Sequence, residues 1–239
     1  MSSTTITSPN EMAISGTHDT IIDFLIQRFP ETKGIRVLDL GAGQGSLSLK
    51  LRDAGYEVSA CDLDADNFKL TDIECLEVDA NGALPYSNNT FDIVLSIEVV
   101  EHIENHGSLF NEVCRVLKPK AHYFFSTPNI LSLKYRLGFL FSGYGYSFGP
   151  LTPGERAPAT QHISPFSIDR YTWLLSLSGL NVSEVATDKL QSTSKLFYWL
   201  MPLIRLIAWK NFGRSTSIKR QNSRVALLGR TLMVVAQKQ

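Results

Sequence analysis

The sequence of 239 residues predicts an α/β fold with a doubly wound, mostly parallel sheet, and two observations lead to that prediction. First, residues 37–47 (VLDLGAGQGSL) form a short apolar strand that runs into a glycine-rich turn, and residues 46–53 continue as a helix. Second, residues 56–61, 91–96 and 121–126 are apolar enough to form further strands. A chain of this length can bury a core of seven strands with helices on both faces.

The remaining elements follow from periodicity and connection length. Residues 18–29 place five apolar side chains at helical spacing, which predicts a helix against one face of the sheet. Residues 130–158 form a long connection rich in Tyr, Phe and Gly, and connections of this length are usually functional. Residues 190–222 form a second insertion, and residues 224–235 are predicted to be a final strand pair.

The domain organisation is simple. Residues 18–239 are predicted to form one domain, and residues 1–17, rich in Ser and Thr, to be disordered or to fold as a flap over the ligand. The N-terminus lacks the basic start and apolar core of a signal peptide. Cys61, Cys75 and Cys114 lie in apolar surroundings without the spacing of a disulfide or zinc site, which predicts a reducing, cytoplasmic location.

The glycine-rich turn predicts a bound small molecule. Gly41, Gly43 and Gly45 alternate, as is typical where a backbone passes so close to a ligand that a Cβ would clash. The N–H groups at the start of the following helix would face that ligand. Asp39 precedes the turn, and its carboxylate suits an ammonium group but would repel a diphosphate. The spacing also departs from the Gly-x-Gly-x-x-Gly of dinucleotide sites. A turn without a ligand is the alternative.

The pattern Asp-x-Gly-x-Gly-x-Gly resembles the first motif of the class I S-adenosylmethionine-dependent methyltransferases, and the resemblance continues from about Ile35 to Asn129. It implies a Rossmann-like, seven-stranded fold with S-adenosylmethionine as methyl donor. The carboxylate of Asp62 would accept the ribose hydroxyls and that of Asp79 the adenine amino group. The cofactor-binding residues that the resemblance implies are Asp39, Gly41, Ala42, Gly43, Gly45, Asp62, Leu63, Asp79, Ala80 and Ile97.

Candidate catalytic residues follow the fourth predicted strand, where such sheets bind ligands. Glu98, Glu101 and His102 share one face if the turn they form is helical. Two carboxylates and an imidazole suit Mg²⁺ or another divalent cation. Alternatively, His102 and Glu98 act in a catalytic site without metal, or the histidine is structural. His106, four residues further on, is expected to be solvated.

This cluster, followed by STPN at residues 126–129, resembles two groups of enzymes: the ubiquinone-biosynthesis O-methyltransferases and the small-RNA 3′-terminal 2′-O-methyltransferases. In both, a Glu-x-x-Glu-His motif binds a divalent metal, and in the RNA enzymes a downstream histidine completes the set. The resemblance implies a metal quartet of Glu98, Glu101, His102 and His162. Related methyltransferases of small molecules and surface sugars carry a similar Glu-His pair without known metal use.

Charge is distributed unevenly, although the net charge is zero. Residues 1–188 hold 13 Lys/Arg and all 23 Asp/Glu, whereas residues 189–239 hold ten Lys/Arg and no acidic residue. The apolar segment 196–209 is interrupted at Pro202 and too short to span a bilayer. Residues 195–220 are therefore interpreted as a peripheral membrane contact, as a lid or dimer contact, or as a nucleic-acid patch. Nucleic acid is disfavoured because the main body of the chain is not enriched in Lys/Arg.

The two insertions predict a bulky apolar or amphiphilic acceptor, with Arg136 and Arg156 available for a carboxylate or phosphate. We therefore expect O-methylation of a small-molecule acceptor that is quinone-like, lipid-linked or glycan-related. The protein is expected to be cytoplasmic, and to be peripheral to the inner face of the membrane if its basic tail binds lipid. The alternatives are a small-molecule or RNA 2′-O-methyltransferase and a non-catalytic S-adenosylmethionine-binding module. The intact glycine turn and the Glu-His cluster argue against such a module.

Overall fold

The computed structural model describes residues 9–13, 16–155 and 161–239. The prediction of a disordered or flap-like segment over residues 1–17 therefore falls partly outside the described residues, and the role predicted for Arg156 falls wholly outside them.

The described residues form one mixed sheet of seven strands in the order β3-β2-β1-β4-β5-β7-β6. The strands are β1 (Arg36–Leu40), β2 (Glu57–Asp62), β3 (Cys75–Glu77), β4 (Phe91–Ile97), β5 (Leu117–Pro128), β6 (Leu180–Ala186) and β7 (Thr231–Lys238). Strand β7 alone runs antiparallel to the other six strands of this sheet. The predicted Rossmann-like, mostly parallel sheet is confirmed. Because the strands other than β7 run in the same direction, their carboxyl ends share one edge of the sheet.

Nine α-helices connect the strands within the described residues. They are α1 (Thr17–Arg28), α2 (Ser46–Asp53), α3 (His106–Val116), α4 (Leu133–Ser142), α5 (Ile168–Leu177), α6 (Ser192–Leu196), α7 (Met201–Phe212), α8 (Thr216–Gln221) and α9 (Arg224–Leu228). The helices predicted over residues 18–29 and 46–53 are confirmed as α1 and α2.

The final strand pair predicted over residues 224–235 is wrong in its first half, which forms α9. The hydroxyl of Ser223 caps this helix by accepting a hydrogen bond from the N–H of Ala226 at 3.1 Å. Leu227 and Leu228 are buried against Leu133 of α4, so tertiary packing favours the short helix. The second half of the range belongs to β7.

Separate apolar cores cover the two faces of the sheet, and alternate residues of β4 contribute to each. Val94 packs with Phe110 of α3 and Tyr171 of α5, whereas Ile93 packs on the opposite face with Leu25 of α1. All five side chains are at most 1% exposed. At about 1.5–3 kcal/mol for each large apolar side chain, this burial holds the helices against the sheet.

Both insertions lie at the carboxyl edge of the sheet. Helix α4 follows the end of β5, and α6, α7, α8 and α9 precede the start of β7, which pairs with that end of β5 through Thr231 and Pro128. Among the described residues, no helix has the length and apolar character needed to cross a membrane.

Candidate functional site

A cavity of about 470 Å³ lies at the carboxyl ends of β1, β2 and β4. Its volume is within the range of small-molecule sites. Nine of the ten predicted cofactor-binding residues line it, namely Asp39, Gly41, Ala42, Gly43, Asp62, Leu63, Asp79, Ala80 and Ile97. Gly45 does not line it. A Cβ on Gly45 would lie 2.7 Å from the ring of Phe68, so this glycine permits close packing beside the cavity.

The glycine turn between β1 and α2 has the geometry that its sequence predicts. Gly41 has a φ of +82°, and a Cβ on it would lie 2.3 Å from Cγ2 of Val99, so no larger residue fits without displacing the turn. The N–H of Gly43 donates to Oδ2 of Asp62 at 2.7 Å. The end of β2 thereby fixes the turn through a charged acceptor.

Asp39 is the buried acid of the cavity, with 2% of its surface exposed. Burial raises its pKa to about 6, although a 2.6 Å hydrogen bond from the hydroxyl of Ser48 partly opposes that shift. The charge of Asp62 raises the pKa further. The carboxylate of Asp39 is therefore costly to keep ionised without a cation beside it, and a cationic group placed there would be stabilised.

Asp62 and Asp79 line the far part of the cavity from loops that follow β2 and β3. One oxygen of Asp62 accepts from Gly43, and the other accepts from the N–H of Asp64 at 3.0 Å. Oδ1 of Asp79 accepts from both the backbone and the side chain of Asn81, at 2.9 and 3.0 Å. Both carboxylates are therefore held in fixed orientations while they face the cavity.

The N-terminal region contributes to the cavity wall residues that the sequence did not single out, although a flap over the ligand was one of the two alternatives for residues 1–17. Asn10, Met12 and His18 line the cavity, and Nδ1 of His18 lies 3.2 Å from the hydroxyl of Ser46. Glu11 accepts hydrogen bonds from the N–H groups of Gly16 and His18. These residues belong to no spacing pattern with the glycine turn, so only the folded chain reveals them.

Glu98 stands directly after β4 in a left-handed conformation, with a φ of +56° that is uncommon for a residue other than glycine. Ser126 of β5 holds it there, because its hydroxyl accepts from the N–H of Glu98 at 3.0 Å and donates to Oε1 at 2.7 Å. Burial raises the pKa of Glu98, and the hydrogen bond from Ser126 opposes that rise. Such strain often marks a functional site.

Glu101 is fully buried at the wall of the cavity. Neither of its carboxylate oxygens has a well-aligned hydrogen-bond partner among the described residues, although the side chains of Thr127 and Glu98 lie close enough to affect its pKa. Burial, and then the neighbouring charge of Glu98, raise its pKa well above the usual range. Its backbone carbonyl accepts from the N–H groups of Ile163 and Ser164, at 2.9 and 3.1 Å, which brings the loop that carries His162 to this wall.

The two histidines of the cluster are in edge contact, with ring centroids 4.8 Å apart. Nδ1 of His102 lies 2.8 Å from the carbonyl of Gln161. Because a carbonyl can only accept, Nδ1 carries the proton, and Nε2 of the neutral ring keeps its lone pair. Nδ1 of His162 is buried and has no partner within the described part of the chain. Burial, followed by the proximity of His102, lowers the pKa of His162.

The structure brings three of the four proposed metal ligands together. One ligand atom each from Glu101, His102 and His162 lies within 4.8 Å of the others, and Glu98 is not part of that group. The condition of a helical turn from Glu98 to His102 is not met, because Glu98 is left-handed and a 3₁₀ turn covers only Val100–His102. The group forms instead because the end of β4 meets the loop that carries His162.

Other side chains form the part of the cavity near this group. Tyr146, Ser147, Pro128 and Thr231 line it. The hydroxyl of Tyr146 donates to the carbonyl of Arg230 and accepts from Nε2 of Gln191, both at 3.1 Å, so it ties the first insertion to the second. The composition of the insertion pointed to aromatic residues in general, but no signal singled out this tyrosine.

Arg136 has a different role from the one its sequence suggests. Its guanidinium donates to the carbonyl of Gln221 at 3.1 Å and to Oδ1 of Asn222 at 3.3 Å, and it does not line the cavity. It therefore links α4 to the end of α8 and is not available for an acceptor anion.

The prediction that His106 is solvated is also wrong, since only 3% of the residue is exposed. Its Nε2–H donates to the carbonyl of Val100 at 2.8 Å, and its ring centroid lies 4.5 Å from that of Phe166. Burial lowers its pKa to about 4, and the positive charge of Arg170 contributes. His106 is thus a neutral, structural histidine that supports the 3₁₀ turn.

Comparison with known sequences identifies relatives of this chain. A family described as "Methyltransferase domain" matches residues 16–185. A mouse protein named "Ubiquinone biosynthesis O-methyltransferase, mitochondrial" is 27% identical over 207 residues, which cover 80% of this chain and 54% of that protein. A Ralstonia nicotianae protein, "Ubiquinone biosynthesis O-methyltransferase", is 30% identical over 130 residues, covering 50% of this chain and 54% of that protein. The chain therefore spans about half the length of these relatives.

Solved structures share the fold over most of the chain. An Archaeoglobus fulgidus protein described as a SAM dependent methyltransferase aligns with a TM-score of 0.57 at 19% identity, covering 93% of this chain and 95% of that one. A putative methyltransferase from Bacillus halodurans aligns with a TM-score of 0.58 at 18% identity, covering 91% and 98%. At this identity the similarity supports the fold alone.

Proposed function

This chain belongs to the S-adenosylmethionine-dependent methyltransferases, and we propose that it methylates a hydroxyl oxygen of a lipid-like acceptor. The observation that carries this proposal is the buried carboxylate of Glu101, which has no well-aligned hydrogen-bond partner among the described residues and stands beside His102 and His162 at the wall of the cavity. A buried polar group without partners is costly. Its retention at a ligand cavity favours a role in binding or chemistry.

S-Adenosylmethionine supplies an activated methyl group, and the residues of the glycine turn are suited to hold it. The buried carboxylate of Asp39 would gain from the ammonium group of the donor, directly or through water. Asp62, fixed at the end of β2, would accept the ribose hydroxyls, and Asp79 would accept the adenine amino group. These contacts would orient the methyl group toward the end of the cavity where Glu101 lies.

An acceptor hydroxyl must lose its proton before or during methyl transfer, and the polar cluster offers two ways to remove it. Nε2 of His102 has a free lone pair because Nδ1 donates to Gln161, so His102 can take the proton as a base. Glu101, which has a ligand atom within 4.8 Å of one on His102, would stabilise the resulting imidazolium when its carboxyl group is ionised.

The alternative uses a divalent cation such as Mg²⁺, which would lower the pKa of the acceptor hydroxyl. Glu101, His102 and His162 fit such an ion, because each offers a ligand atom to the same small space and the oxygens of Glu101 have no well-aligned hydrogen-bond partner among the described residues. The carbonyl of Gln161 would orient the ring of His102, as second-sphere acceptors do for metal-binding histidines.

The proposed acceptor class rests on the wall of the cavity and on the relatives. Tyr146 and Pro128 provide apolar surface next to the polar cluster, and the matched relatives are named for ubiquinone biosynthesis. We therefore favour a quinone-like or other lipid-linked phenol over an RNA acceptor. Such an acceptor would place the protein at the cytoplasmic face of a membrane, with residues 195–220 as the contact.

The test is transfer of label from methyl-labelled S-adenosylmethionine to a short-chain prenyl catechol, chosen because it is soluble. We expect methylation by the wild type and loss of at least about 100-fold of the rate in Glu101→Gln and His102→Asn, at unchanged affinity for the donor. Glu57→Gln, an exposed acid at the start of β2, is the matched control. Wild-type rates in both cluster variants would contradict the proposal.

The same assay separates the two ways of removing the proton. If EDTA abolishes transfer and Mg²⁺ restores it, and if His162→Asn shifts the Mg²⁺ concentration required, the cation is supported. If EDTA has no effect, the rate of the wild type rises with pH through a single ionisation, and His102→Asn removes that ionisation from the pH profile, His102 is the base.

A further inference from the structure

The described part of the second insertion and helix α4 expose an unusually large number of apolar side chains. We call this the apolar–basic surface and define it as α4 together with residues 192–224, which include α6, α7 and α8. No residue of α7 is buried, and Leu133 is the only buried residue of α4. The exposed apolar side chains are Phe139 (55%), Leu140 (71%), Phe141 (84%), Leu196 (71%), Tyr198 (41%), Trp199 (71%), Leu203 (52%), Leu206 (54%), Ile207 (49%), Trp209 (47%) and Phe212 (74%).

Exposure on this scale is not explained by a loosely attached segment, because the inner side of the surface is packed and hydrogen-bonded. Phe197, Met201 and Ile204 pack against buried Leu227 and Leu228 of α9. Helix α4 is joined to the second insertion by the bond from the N–H of Lys134 to the hydroxyl of Ser194, at 3.2 Å, and by the guanidinium of Arg136 on Asn222. The surface is therefore built in place. Soluble monomers rarely expose apolar areas of this size without a partner.

Basic side chains are interspersed with the apolar ones, and Asp169 of α5 contacts the surface through Ser217 of α8. The exposed basic residues of the surface are Lys195, Arg205, Lys210, Arg214, Lys219 and Arg224. None of the six forms a salt bridge with a described residue, and residues 189–239 contain no acid at all. The guanidinium of Arg214 stacks on the ring of Trp209 at 4.7 Å, so charge and aromatic surface are presented together.

We infer that the apolar–basic surface binds an anionic lipid bilayer. Apolar side chains that enter the interface, surrounded by Lys and Arg that meet anionic headgroups, are the composition of interfacial membrane segments. A second copy of the chain fits less well. A two-fold contact would bring the basic side chains of both copies together, and residues 189–239 contribute no acidic residue to neutralise them.

The apolar–basic surface lies next to the cavity, so binding to a bilayer would bring the cavity close to lipid. Helix α4 is followed within a few residues by Tyr146, which lines the cavity, and Gln191, immediately before α6, donates to the hydroxyl of that tyrosine. A bilayer bound to α4 and α6 would therefore lie beside the acceptor end of the cavity. A role of this contact in catalysis rests on the lipid-like acceptor proposed above, whereas the exposed apolar and basic side chains argue for lipid binding independently of it.

The test is co-sedimentation of the full chain with phosphatidylcholine vesicles prepared with and without phosphatidylglycerol. We expect binding only when phosphatidylglycerol is present. The double variant Trp199→Ser/Leu206→Ser should weaken binding at least about tenfold, and Lys210→Glu/Arg214→Glu should do the same because each basic residue contributes about 1 kcal/mol near an anionic surface. Circular dichroism and donor affinity confirm that the variants remain folded.

Matched controls alter the same chemistry elsewhere on the protein. Trp173→Ser/Leu177→Ser removes side chains that are 50% and 67% exposed on α5, and Lys33→Glu/Lys120→Glu reverses two exposed charges outside the surface. Both controls should bind vesicles like the wild type. The inference would be overturned by equal weakening in the controls or by equal binding to both kinds of vesicle. It would also be overturned if the protein does not bind vesicles but forms a dimer that Trp199→Ser/Leu206→Ser dissociates.

Because the vesicle assay contains neither methyl donor nor acceptor, its outcome is independent of catalysis. If vesicle binding fails while the soluble prenyl catechol is methylated, only the membrane inference is overturned. If vesicles bind while no phenol is methylated, the proposed acceptor is overturned and the lipid contact stands. Preferential binding of RNA over vesicles would also contradict the membrane inference.

Discussion

The donor half and the acceptor half of the cavity are built in different ways. The donor half consists of short turns after β1, β2 and β3, in which residues close in sequence are close in space and two carboxylates are held by backbone N–H groups. The acceptor half combines Glu101 and His102 with residues about 60 positions further along the chain and with the start of β7. Beyond it, helices with almost no buried residue extend into solvent.

The two halves differ because one must bind a donor of fixed shape, whereas the other must select a particular acceptor. A donor of fixed shape can be bound by a compact turn whose glycines and acids are spaced by the backbone itself. An acceptor must be selected by side chains on insertions, which a doubly wound sheet tolerates at its carboxyl edge. Changes in the donor half should therefore alter binding of the donor alone, and changes in the acceptor half should alter the rate alone.

The largest effect is expected at Glu101. Glu101→Gln keeps the shape of this fully buried side chain but removes its ability to ionise and to bind a cation. We expect the rate of methyl transfer to fall by about 100-fold or more. The affinity for S-adenosylmethionine, measured by calorimetry, should stay within about twofold of the wild-type value. Loss of donor affinity with an unchanged rate would show that the two halves are not separate.

The next effect concerns Gly41 in the donor half. Gly41→Ala places a Cβ 2.3 Å from Val99 at a φ of +82°, so the turn must shift and its N–H groups lose their alignment with the donor. Loss of one or two charge-assisted hydrogen bonds corresponds to about tenfold to 100-fold in affinity. Gly34→Ala, with a φ of +77° and open space around the new Cβ, is the control. It should cost stability of about 1 kcal/mol without affecting donor binding.

A smaller, pH-dependent effect is expected at Asp39. Its pKa of about 6 means that the carboxylate is ionised at pH 7 and mostly protonated at pH 5. If the ionised form binds the ammonium group of the donor, affinity should fall about tenfold between these pH values. Asp39→Asn should bind weakly at both. A wild-type affinity that does not change with pH would exclude this contact.

The smallest effect on function, and a measurable one on stability, is expected at His106 beneath the acceptor half. Its pKa is lowered to about 4 in the folded state, so the fold favours the neutral ring. The neutral ring of His106 therefore contributes to the free energy of unfolding. This contribution is complete above the unfolded pKa of about 6.5 and is lost as the pH falls toward 4, by about 3 kcal/mol in total.

Buried acids such as Asp39 titrate with the opposite sign, so the measurement at His106 is a difference between two proteins. Urea unfolding of wild type and His106→Gln from pH 7 to pH 4 should give free energies that converge as the pH falls. Parallel curves would mean that His106 is protonated in the fold without cost.

Much of the sheet and of the donor half can be predicted from the sequence, because both depend on local patterns. The helix over residues 46–53 and the strand over 91–96 lie close to where periodicity places them. The acceptor half depends on contacts between distant segments. The conformation of Glu98 is set by Ser126, and that of residues 224–228 by packing on α4, and neither partner is visible in a local window.

His106 and Arg136 show the same limit from the other side. Both were expected to face solvent or ligand because polar residues usually do, yet one is buried against Phe166 and the other is bound to Asn222. A polar side chain is compatible with burial once a backbone carbonyl accepts a hydrogen bond from it, and that carbonyl cannot be assigned before the fold is known.

The most direct test of the proposed function is to incubate the pure protein with methyl-labelled S-adenosylmethionine, Mg²⁺ and a cell extract, and to partition the products between organic solvent and water. We predict label in the organic phase, with Glu101→Gln as the inactive control. Label confined to the aqueous phase would contradict a lipid-like acceptor and would favour a sugar or another soluble acceptor.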